Sequence, residues 1–531
     1  MGLGIFKKTG IFPSGAFRAT HHANLNEDRS ESSIAVNPQN SDNLIGVSKL
    51  FTDIHKYKFT VGAIFTTSGG LSWQNSAPLK LLPGWEGLSD PSVFFDNNGV
   101  AYIVTEPLNF NYANDPDHDA SIQTDIVATR MVLYKSTNGG ASWTDPVTID
   151  VNENNEDRFD KPWATINRGN GNIYVSWGYS NLQFARSTNA GANWQGLGNQ
   201  SINTLLGGGS APEINTDTAG NIHIVSHNQT TNFISYLRSK DAGLSLEPEK
   251  KIAVGLKDID TGISGGGGFK HFPNATFRVL TLATATCIPT SNSVVVAWAD
   301  TREGPSRIYY TLSTNSGDSW PANSGIALLP AFSTSEVFHD FHPQIVCTGN
   351  GVIGCAFYRY YESSALIDVM FTASFDGGQS FWFPEQLNNF PWNPAVNAPW
   401  SHGNSSITFI GDYFGLDADN DSFYVLWTNT KDGAQELYFN SVATSKYDLP
   451  DVLKGIYGKV FGGIAEDGGG FIIVNGKIIR VPPRSPFLDI LHAIAALDSI
   501  QEIGGIHTKR LQKSIYEGIA EIAKKSAKNI K

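Results

Sequence analysis

Runs of histidine and aspartate are the features whose spacing points most directly to metal chemistry. His339 and His342 flank Asp340, which amounts to half of a zinc site, because zinc needs three or four convergent ligands. The run DPDHD supplies carboxylates at alternate positions, namely Asp115, Asp117 and Asp119. Calcium prefers such hard oxygens, so it is a candidate ligand of this run, while no required cofactor is indicated.

Other reactive side chains are concentrated in predicted loops. These loops precede the first strand of each predicted four-strand unit, or join its second strand to its third. Grouped around one opening, such side chains can bind a ligand, or they can form salt bridges that satisfy the loops themselves. The candidates are Arg29, Asp90, Asp157, Arg302, Arg359, Tyr360, Tyr361, Glu362, His339, His342 and His402.

Tryptophans in or near the same loops suit a carbohydrate ligand. A flat indole ring can stack on the face of a pyranose, and its N–H remains free to donate a hydrogen bond. The candidates are Trp85, Trp163, Trp392 and Trp400. Trp163 follows Lys161-Pro162, and the alternative for this ring is a place in the core.

An eight-residue element that recurs six times organises most of the chain. Its form is Ser/Thr, any residue, Asp/Asn/Ser, any residue, Gly, any residue, Ser/Asn and an aromatic. The copies are TTSGGLSW (66–73), STNGGASW (136–143), STNAGANW (187–194), SKDAGLSL (239–246), STNSGDSW (313–320) and SFDGGQSF (374–381). We interpret each copy as a hairpin turn. The Asp or Asn accepts bonds from the turn backbone, the Gly supplies positive φ, and the aromatic anchors the next strand.

The strand pattern around these elements repeats seven times, one more than the elements do. Alternating apolar residues predict a second strand in each unit, from NLIGVS (43–48) to FYVLW (423–427). The last unit, 406–444, has three strands and no fourth, whereas the segment 10–20 is spare. We therefore predict a mainly β fold, a seven-bladed β-propeller over 10–446 closed by an N-terminal strand, with six blades as the alternative.

The six elements resemble the Asp-box, or bacterial neuraminidase repeat, of the sialidase-like β-propellers. The resemblance covers about residues 27–445 and implies the propeller fold, with the hairpins on the rim away from the active face. Sialidases, other glycosidases, lectins and scaffold proteins all carry this element, so the fold does not give the function.

The resemblance also implies a site to look for. Sialidases grip a sialic-acid carboxylate with three arginines, use a Tyr activated by a Glu as nucleophile, and use an Asp as acid/base. The matching candidates are Arg29, Arg302 and Arg359, Tyr360 or Tyr361 with Glu362, and Asp90 or Asp157. The family's Arg-Ile-Pro signature is absent, since Arg18 in AFRATHH (16–22) is followed by Ala and Thr.

Composition excludes several classes of function. The chain has 531 residues and a net charge of -12, without the basic excess that a general nucleic-acid binder needs. No apolar run is long enough to span a bilayer. No signal peptide is visible, so the compartment is open, and an extracellular or surface location is favoured only if the ligand is a glycan. Three cysteines exclude a disulfide framework, although Cys347 and Cys355 could face each other across a hairpin.

The last eighty residues form a separate small α+β module. Residues 451–531 hold twelve Lys and Arg against eight Asp and Glu, opposite in sign to the rest. FIIV (471–474) and KIIR (477–480), joined by Asn-Gly, predict a hairpin, and 487–500 and 508–529 read as helices. This module either packs on the propeller or attaches it to a protein partner.

Three functions are compatible with these observations. The first is a glycan-binding propeller that is non-catalytic or weakly catalytic. The second is an exo-acting glycoside hydrolase of the sialidase type, and the third is a protein-interaction scaffold. The missing Arg-Ile-Pro signature favours the first function. The seventh blade favours it too, because the catalytic sialidase propellers that these repeats resemble have six blades.

Overall fold

A computed structural model describes most of the first 444 residues and three short strands beyond them. The described residues are 17–18, 28–111, 125–128, 130–151, 159–178, 181–202, 209–228, 231–257, 259, 270–329, 336–381, 384–444, 460–464, 470–474 and 477–481. The chain divides into two compact units, Gly15–Ser441 and Met1–Ser14 with Val442–Lys531. The predicted boundary between 446 and 451 lies outside the described residues.

The larger unit is a seven-bladed β-propeller, as predicted. Blade 1 consists of β2 (Arg29–Val36), β3 (Leu44–Asp53), β4 (Lys58–Thr66) and β5 (Gln74–Asn75), after the short β1 (Phe17–Arg18). Blade 2 consists of β6 (Gly87–Phe95), β7 (Ala101–Asn111), β8 (Asp125–Ala128), β9 (Arg130–Ser136) and β10 (Val147–Val151). Blade 3 consists of β11 (Trp163–Ile166), β12 (Ile173–Trp177) and β13 (Gln183–Ser187).

The remaining blades follow the same meander. Blade 4 holds β14 (Ser210–Thr216), β15 (Ile222–Asn228), β16 (Phe233–Ser239) and β17 (Lys250–Val254). Blade 5 holds β18 (Ala283–Ile288), β19 (Ser293–Asp300), β20 (Arg307–Ser313) and β21 (Ile326–Ala327). Blade 6 holds β22 (Phe338–Cys347), β23 (Ile353–Tyr361), β24 (Leu366–Ser374) and β25 (Glu385–Gln386). Blade 7 holds β26 (Gly415–Ala418), β27 (Ser422–Asn429) and β28 (Glu436–Ala443).

The N-terminal strand closes the ring in the predicted place. β1 pairs antiparallel with β28, with Phe17 opposite Phe439 and Arg18 opposite Tyr438. It thus supplies the outer strand that blade 7 lacks, which explains six hairpin elements for seven blades. Two 3-10 turns, Leu197–Asn199 and Ser401–Gly403, are the helical elements among the described residues, and none of these is long and apolar enough to cross a membrane.

The apolar core lies between neighbouring blades rather than at the centre of the ring. Ile45 and Val47 of blade 1 pack in one cluster with Val93 and Ile103 of blade 2, and clusters between blades 2 and 3, 3 and 4, 4 and 5, and 7 and 1 repeat this pattern. Side chains on the inner strands also link blades. Ser33 Oγ accepts a bond from the Val93 N–H of the next blade at 3.3 Å, and further examples join most neighbouring blades.

The recurrent hairpins have the predicted internal hydrogen bonds. In the second copy the Gly140 N–H donates to Ser136 Oγ at 3.0 Å, and the Ser142 N–H donates to Asn138 Oδ1 at 3.0 Å. Gly140 has φ of +94°, and the same glycine has positive φ in all six copies. The closing aromatic packs on the preceding blade, as Trp320 does on Tyr236 at 5.0 Å between ring centroids.

The described part of the second unit is a three-stranded sheet. It contains β29 (Val460–Ile464), β30 (Gly470–Val474) and β31 (Lys477–Val481). The predicted hairpin is confirmed by β30 and β31, with Phe471 opposite Arg480. The predicted helices lie outside the described residues. All three cysteines are free, and Cys347 lies opposite Ile353 rather than Cys355, so the disulfide alternative is wrong.

Candidate functional site

The inner strands of five blades begin with the same unusual backbone conformation. Glu31, Asp90, Lys161, Ala211 and His342 have φ between +46° and +51°. A residue with a Cβ loses about 1–2 kcal/mol in this region, so five matching occurrences at one level of a ring indicate a specific role.

A shared β-bulge produces this conformation in four of these blades. Three residue steps on the inner strand oppose two steps on its neighbour, as between Ser30 and Ser33 in blade 1, and in blades 2, 4 and 6 likewise. A bulge redirects the side chain of the extra residue. In blades 1, 2 and 6 the redirected side chains are Glu31, Asp90 and His342, which belong to the polar centre of the ring.

Three cations and their carboxylate partners occupy this centre. Lys49 Nζ lies 2.5 Å from Glu31 Oε2 and 2.9 Å from Asp90 Oδ1. On the other side, Lys161 Nζ lies 2.7 Å from Asp412 Oδ2, and Arg278 Nη2 also lies 2.7 Å from that oxygen. Lys161 is 3.6 Å from Glu31 Oε1, so the two halves form one network. All six of these side chains are buried.

Burial and ion pairing shift the pKa values of these groups in different directions. Burial raises the pKa of Glu106, and it raises that of Asp160 to about 7. Burial also raises the pKa of Asp90 and Asp412, but the adjacent cations outweigh it and hold both values below the ordinary range. Burial lowers the pKa of His342 to about 4, so this histidine is neutral at pH 7. The centre therefore contains some carboxyl groups whose pKa is raised and others whose pKa is lowered.

Aromatic rings cover the network towards the loop face. The Lys49 ammonium lies 4.7 Å from the ring centroid of Phe59, and the Arg278 guanidinium lies 4.4 Å from that of Phe409. The next pair is His402 stacked on Tyr57, with a centroid separation of 4.9 Å.

The outermost aromatic pair is open to solvent. The centroid of the Trp400 ring lies 4.3 Å from that of the His55 imidazole, and the backbone N–H of Trp400 donates to the Ile54 carbonyl at 2.8 Å. His55 is exposed and Trp400 is half-buried. This pair is a rigid, accessible platform at the end of the ring where the charged residues lie.

The predicted arginines are each engaged close to their own position. Arg359 is buried and binds both oxygens of Asp340, with Nε–Oδ1 of 2.7 Å and Nη2–Oδ2 of 3.0 Å. Arg302 Nε donates to Asp300 Oδ2 at 2.7 Å. Arg29 is buried, and its Nη1 lies 3.5 Å from Ser48 Oγ.

The predicted Tyr and Glu side chains also have other partners. The Tyr360 hydroxyl donates to the Pro273 carbonyl at 3.1 Å, and the Tyr361 hydroxyl donates to Asp368 Oδ2 at 3.0 Å. Glu362 Oε1 lies 2.8 Å from His339 Nε2. Burial raises the pKa of Tyr360 to about 12, so its hydroxyl is protonated at neutral pH.

The other predicted residues fall into four groups. Asp90, His342 and His402 belong to the central network or to the rings that cover it. Trp85 and Trp163 are half-buried, Trp85 against the core between blades 1 and 2 and Trp163 against Tyr413. Trp392 is buried against Tyr358, so it is no surface ring. Those outside the described residues are Asp157, Asp115, Asp117 and Asp119.

Sequence reasoning missed four members of the centre, Lys49, Glu106, Arg278 and Asp412. A second repeat was available as a signal, because a proline follows the left-handed residue in four blades. The segments are SDPS (89–92), DKPW (160–163), SAPE (210–213) and FHPQ (341–344). In each of these four blades, the pattern marks the point where the chain reaches the centre of the ring.

Comparison with known proteins gives fold neighbours and no family. No protein-family model matches the sequence, and no curated protein matches it. A protein of unknown function from Dyadobacter fermentans is similar in structure with a TM-score of 0.43 and 13% identity, over 66% of this chain and 94% of that one. A Hadza microbial sialidase gives a TM-score of 0.42 and 14% identity, over 68% of each chain. The α-L-arabinanase of Penicillium chrysogenum gives 0.37 and 12%, over 70% of this chain and 96% of that one. Likeness at this level says nothing about the chemistry of this chain.

Proposed function

We propose that this propeller binds a glycan at the loop end of its central opening and does not hydrolyse it. The observation that carries the proposal is the tilted pair of Trp400 and His55, an open aromatic surface next to a network of buried charges. The backbone of Trp400 is fixed by its hydrogen bond to Ile54, and its ring contacts His55, so the residue loses little conformational entropy when a sugar stacks on the ring. Polar groups around the platform then select among hydroxyl patterns.

The engaged state of the arginines supports binding without sialidase chemistry. Arg359 already holds both oxygens of the buried Asp340 through Nε and Nη2, and it is 6% exposed, so its guanidinium offers little accessible surface to a ligand carboxylate. A tyrosine nucleophile needs a base at its hydroxyl, but Glu362 lies against His339 instead, while Tyr360 donates to the Pro273 carbonyl and Tyr361 to Asp368.

The alternative is a glycoside hydrolase that uses other carboxyl groups. Asp90 and Asp160 lie close together, and their pKa values are displaced in opposite directions, which is the division of labour between a nucleophile and an acid. Against this, Asp90 is buried and already paired with Lys49. The third possibility, a protein scaffold, needs neither platform nor carboxyl pair.

A glycan array run beside a panel of chromogenic glycosides tests the proposal. We expect the full chain to bind a restricted set of glycans and to release no chromophore. Trp400→Ala should weaken binding about tenfold or more, since a stacked ring contributes on the order of 1.4 kcal/mol. Trp400→Phe should retain part of the affinity, because it keeps a flat ring.

Leu71→Ala is the matched control, because Leu71 is 77% exposed on a hairpin at the opposite rim. It should leave binding unchanged. Turnover that Asp160→Asn abolishes would establish the hydrolase alternative. Failure to bind any glycan, with a folded protein, would favour the scaffold.

A further inference from the structure

A carboxyl group with no partner lies at the edge of the central network. Glu106 is 4% exposed, and its Oε2 has no hydrogen-bond partner. It stands on β7 opposite Ser89, next to the bulge that carries Asp90. A buried carboxylate oxygen without a donor is costly, so this atom needs an ion, a proton or a water.

Two further carboxylates converge on the same point. Asp90, Glu106 and Asp160 each offer an oxygen, and these oxygens all lie within 4.8 Å of one another. Asp90 and Glu106 are buried, whereas Asp160 is half-buried and leaves a path to solvent. The three residues come from the start of β6, from β7 and from the segment before β11, so the folded ring assembles the trio.

Carboxyl groups outnumber cations at the centre by five to three. Lys49 contacts Glu31 and Asp90, and Lys161 and Arg278 both contact Asp412. The other two carboxyl groups are those of Glu106 and Asp160. When all five are ionised, the negative charges exceed the positive ones by two, and one divalent cation would balance this excess.

We propose that Asp90, Glu106 and Asp160 bind one calcium ion. An all-oxygen carboxylate set suits a hard cation, and Ca–O distances of about 2.3–2.6 Å let one ion contact oxygens up to about 5 Å apart. Water completes the coordination from the side of Asp160. The site is distinct from the aspartate run at 115–119, and it does not depend on glycan binding.

Calcium titration of the full chain, after removal of divalent ions with a chelator, tests the site. Titration calorimetry with CaCl2 should show saturable binding of one equivalent of calcium, which we assign to the trio. Scanning calorimetry should show a higher Tm, by about 3 °C at a hundredfold excess over Kd. Glu106→Gln, which keeps size and removes the charge, should abolish that equivalent and the rise in Tm. Without calcium this variant should melt no lower than the wild type, because a buried charge is gone.

Two further variants keep the inference open to refutation. Asp160→Asn should act like Glu106→Gln, and it serves if the latter does not fold. Asp117→Asn is the control for the loop run and should leave the trio's equivalent intact. No binding by the wild type, or an equivalent that Asp117→Asn removes and Glu106→Gln retains, would overturn the proposal.

Discussion

Adding one methyl group at Gly140 is the sharpest test of how the hairpins hold the ring together. A Cβ on Gly140 would lie 2.7 Å from Ile45 Cδ1 of the neighbouring blade, and the backbone there has φ of +94°. Gly378 is the same position in another copy. It has φ of +87°, but a Cβ there would meet its nearest atom, Ile353 Cδ1, at 3.3 Å. The pair thus separates backbone strain from contact between blades.

The magnitude follows from two contributions. Positive φ costs an alanine about 1–2 kcal/mol at either site. Overpacking adds about 1–3 kcal/mol at Gly140 only. We expect Gly140→Ala to lose about 2–5 kcal/mol and Gly378→Ala about 1–2 kcal/mol. A unit of about 430 residues unfolds with roughly 0.9 kcal/mol/K of entropy, so the Tm values should fall by about 4 °C and about 1.5 °C.

Scanning calorimetry of the purified variants measures this difference, and urea unfolding followed by tryptophan fluorescence checks it. Gly140→Val should fall further than Gly140→Ala, because a β-branched side chain resists this conformation more. Equal losses at Gly140 and Gly378 would show that the glycine is needed for its φ alone. An unchanged Tm at Gly140 would refute both parts of the reasoning.

Three further predictions concern burial, pH and the C-terminal module. Arg359→Ala should destabilise the propeller by about 3–5 kcal/mol in urea unfolding, because Asp340 is left buried without a counter-ion, and a variant as stable as the wild type would contradict the pairing. Burial raises the pKa of Glu213 to about 7, so the folded chain keeps a proton that the unfolded chain loses near pH 4.5. Relative to Glu213→Gln, wild-type stability should therefore be greatest below that pH and fall by roughly 2–4 kcal/mol towards pH 8, and a pH-independent difference would refute the assignment. A chain ending at Lys446 should stay soluble and keep its ligand, because the propeller closes with β1, whereas aggregation would show that residues 451–531 cover it.

The fold could be predicted because its signals are local and repeated. Each hairpin element specifies its own turn, through bonds such as those from Ser136 and Asn138 in the second copy. The number of blades and the closing N-terminal strand were predicted because the strand pattern repeats seven times and the hairpin element only six. What the pattern did not reveal is the shortness of several outer strands. β5, β21 and β25 have two residues each, and each forms two residue pairs with the neighbouring strand.

The site was harder to predict because pairing consumes most of the charged loop residues. Asp340 and Arg359 are direct cross-strand partners, which only the register reveals. Arg302 turns back on Asp300, two residues away. A list of reactive residue types has no means of separating such pairs from groups that remain available. Two of the four missed members of the centre, Lys49 and Glu106, lie within strands and not in loops.

Ala211 shows how the ring divides the work between backbone and side chain. It has the same φ as Asp90, both at +47°, and the same bulge, yet it carries no group that can bind or titrate. The left-handed position is therefore a property of the backbone, which in five blades turns one residue towards the centre whatever its chemistry. Blade 7 reaches the same place with Gly411, where a Cβ would lie 2.7 Å from the Glu31 backbone nitrogen, and puts the charge on the next residue, Asp412. Since the backbone strain is common to the blades, changes of residue type at these positions alter the chemistry of the centre with little change in the architecture. The residue types at these positions, Glu, Asp, Lys, Ala and His, therefore set the charge of the buried centre.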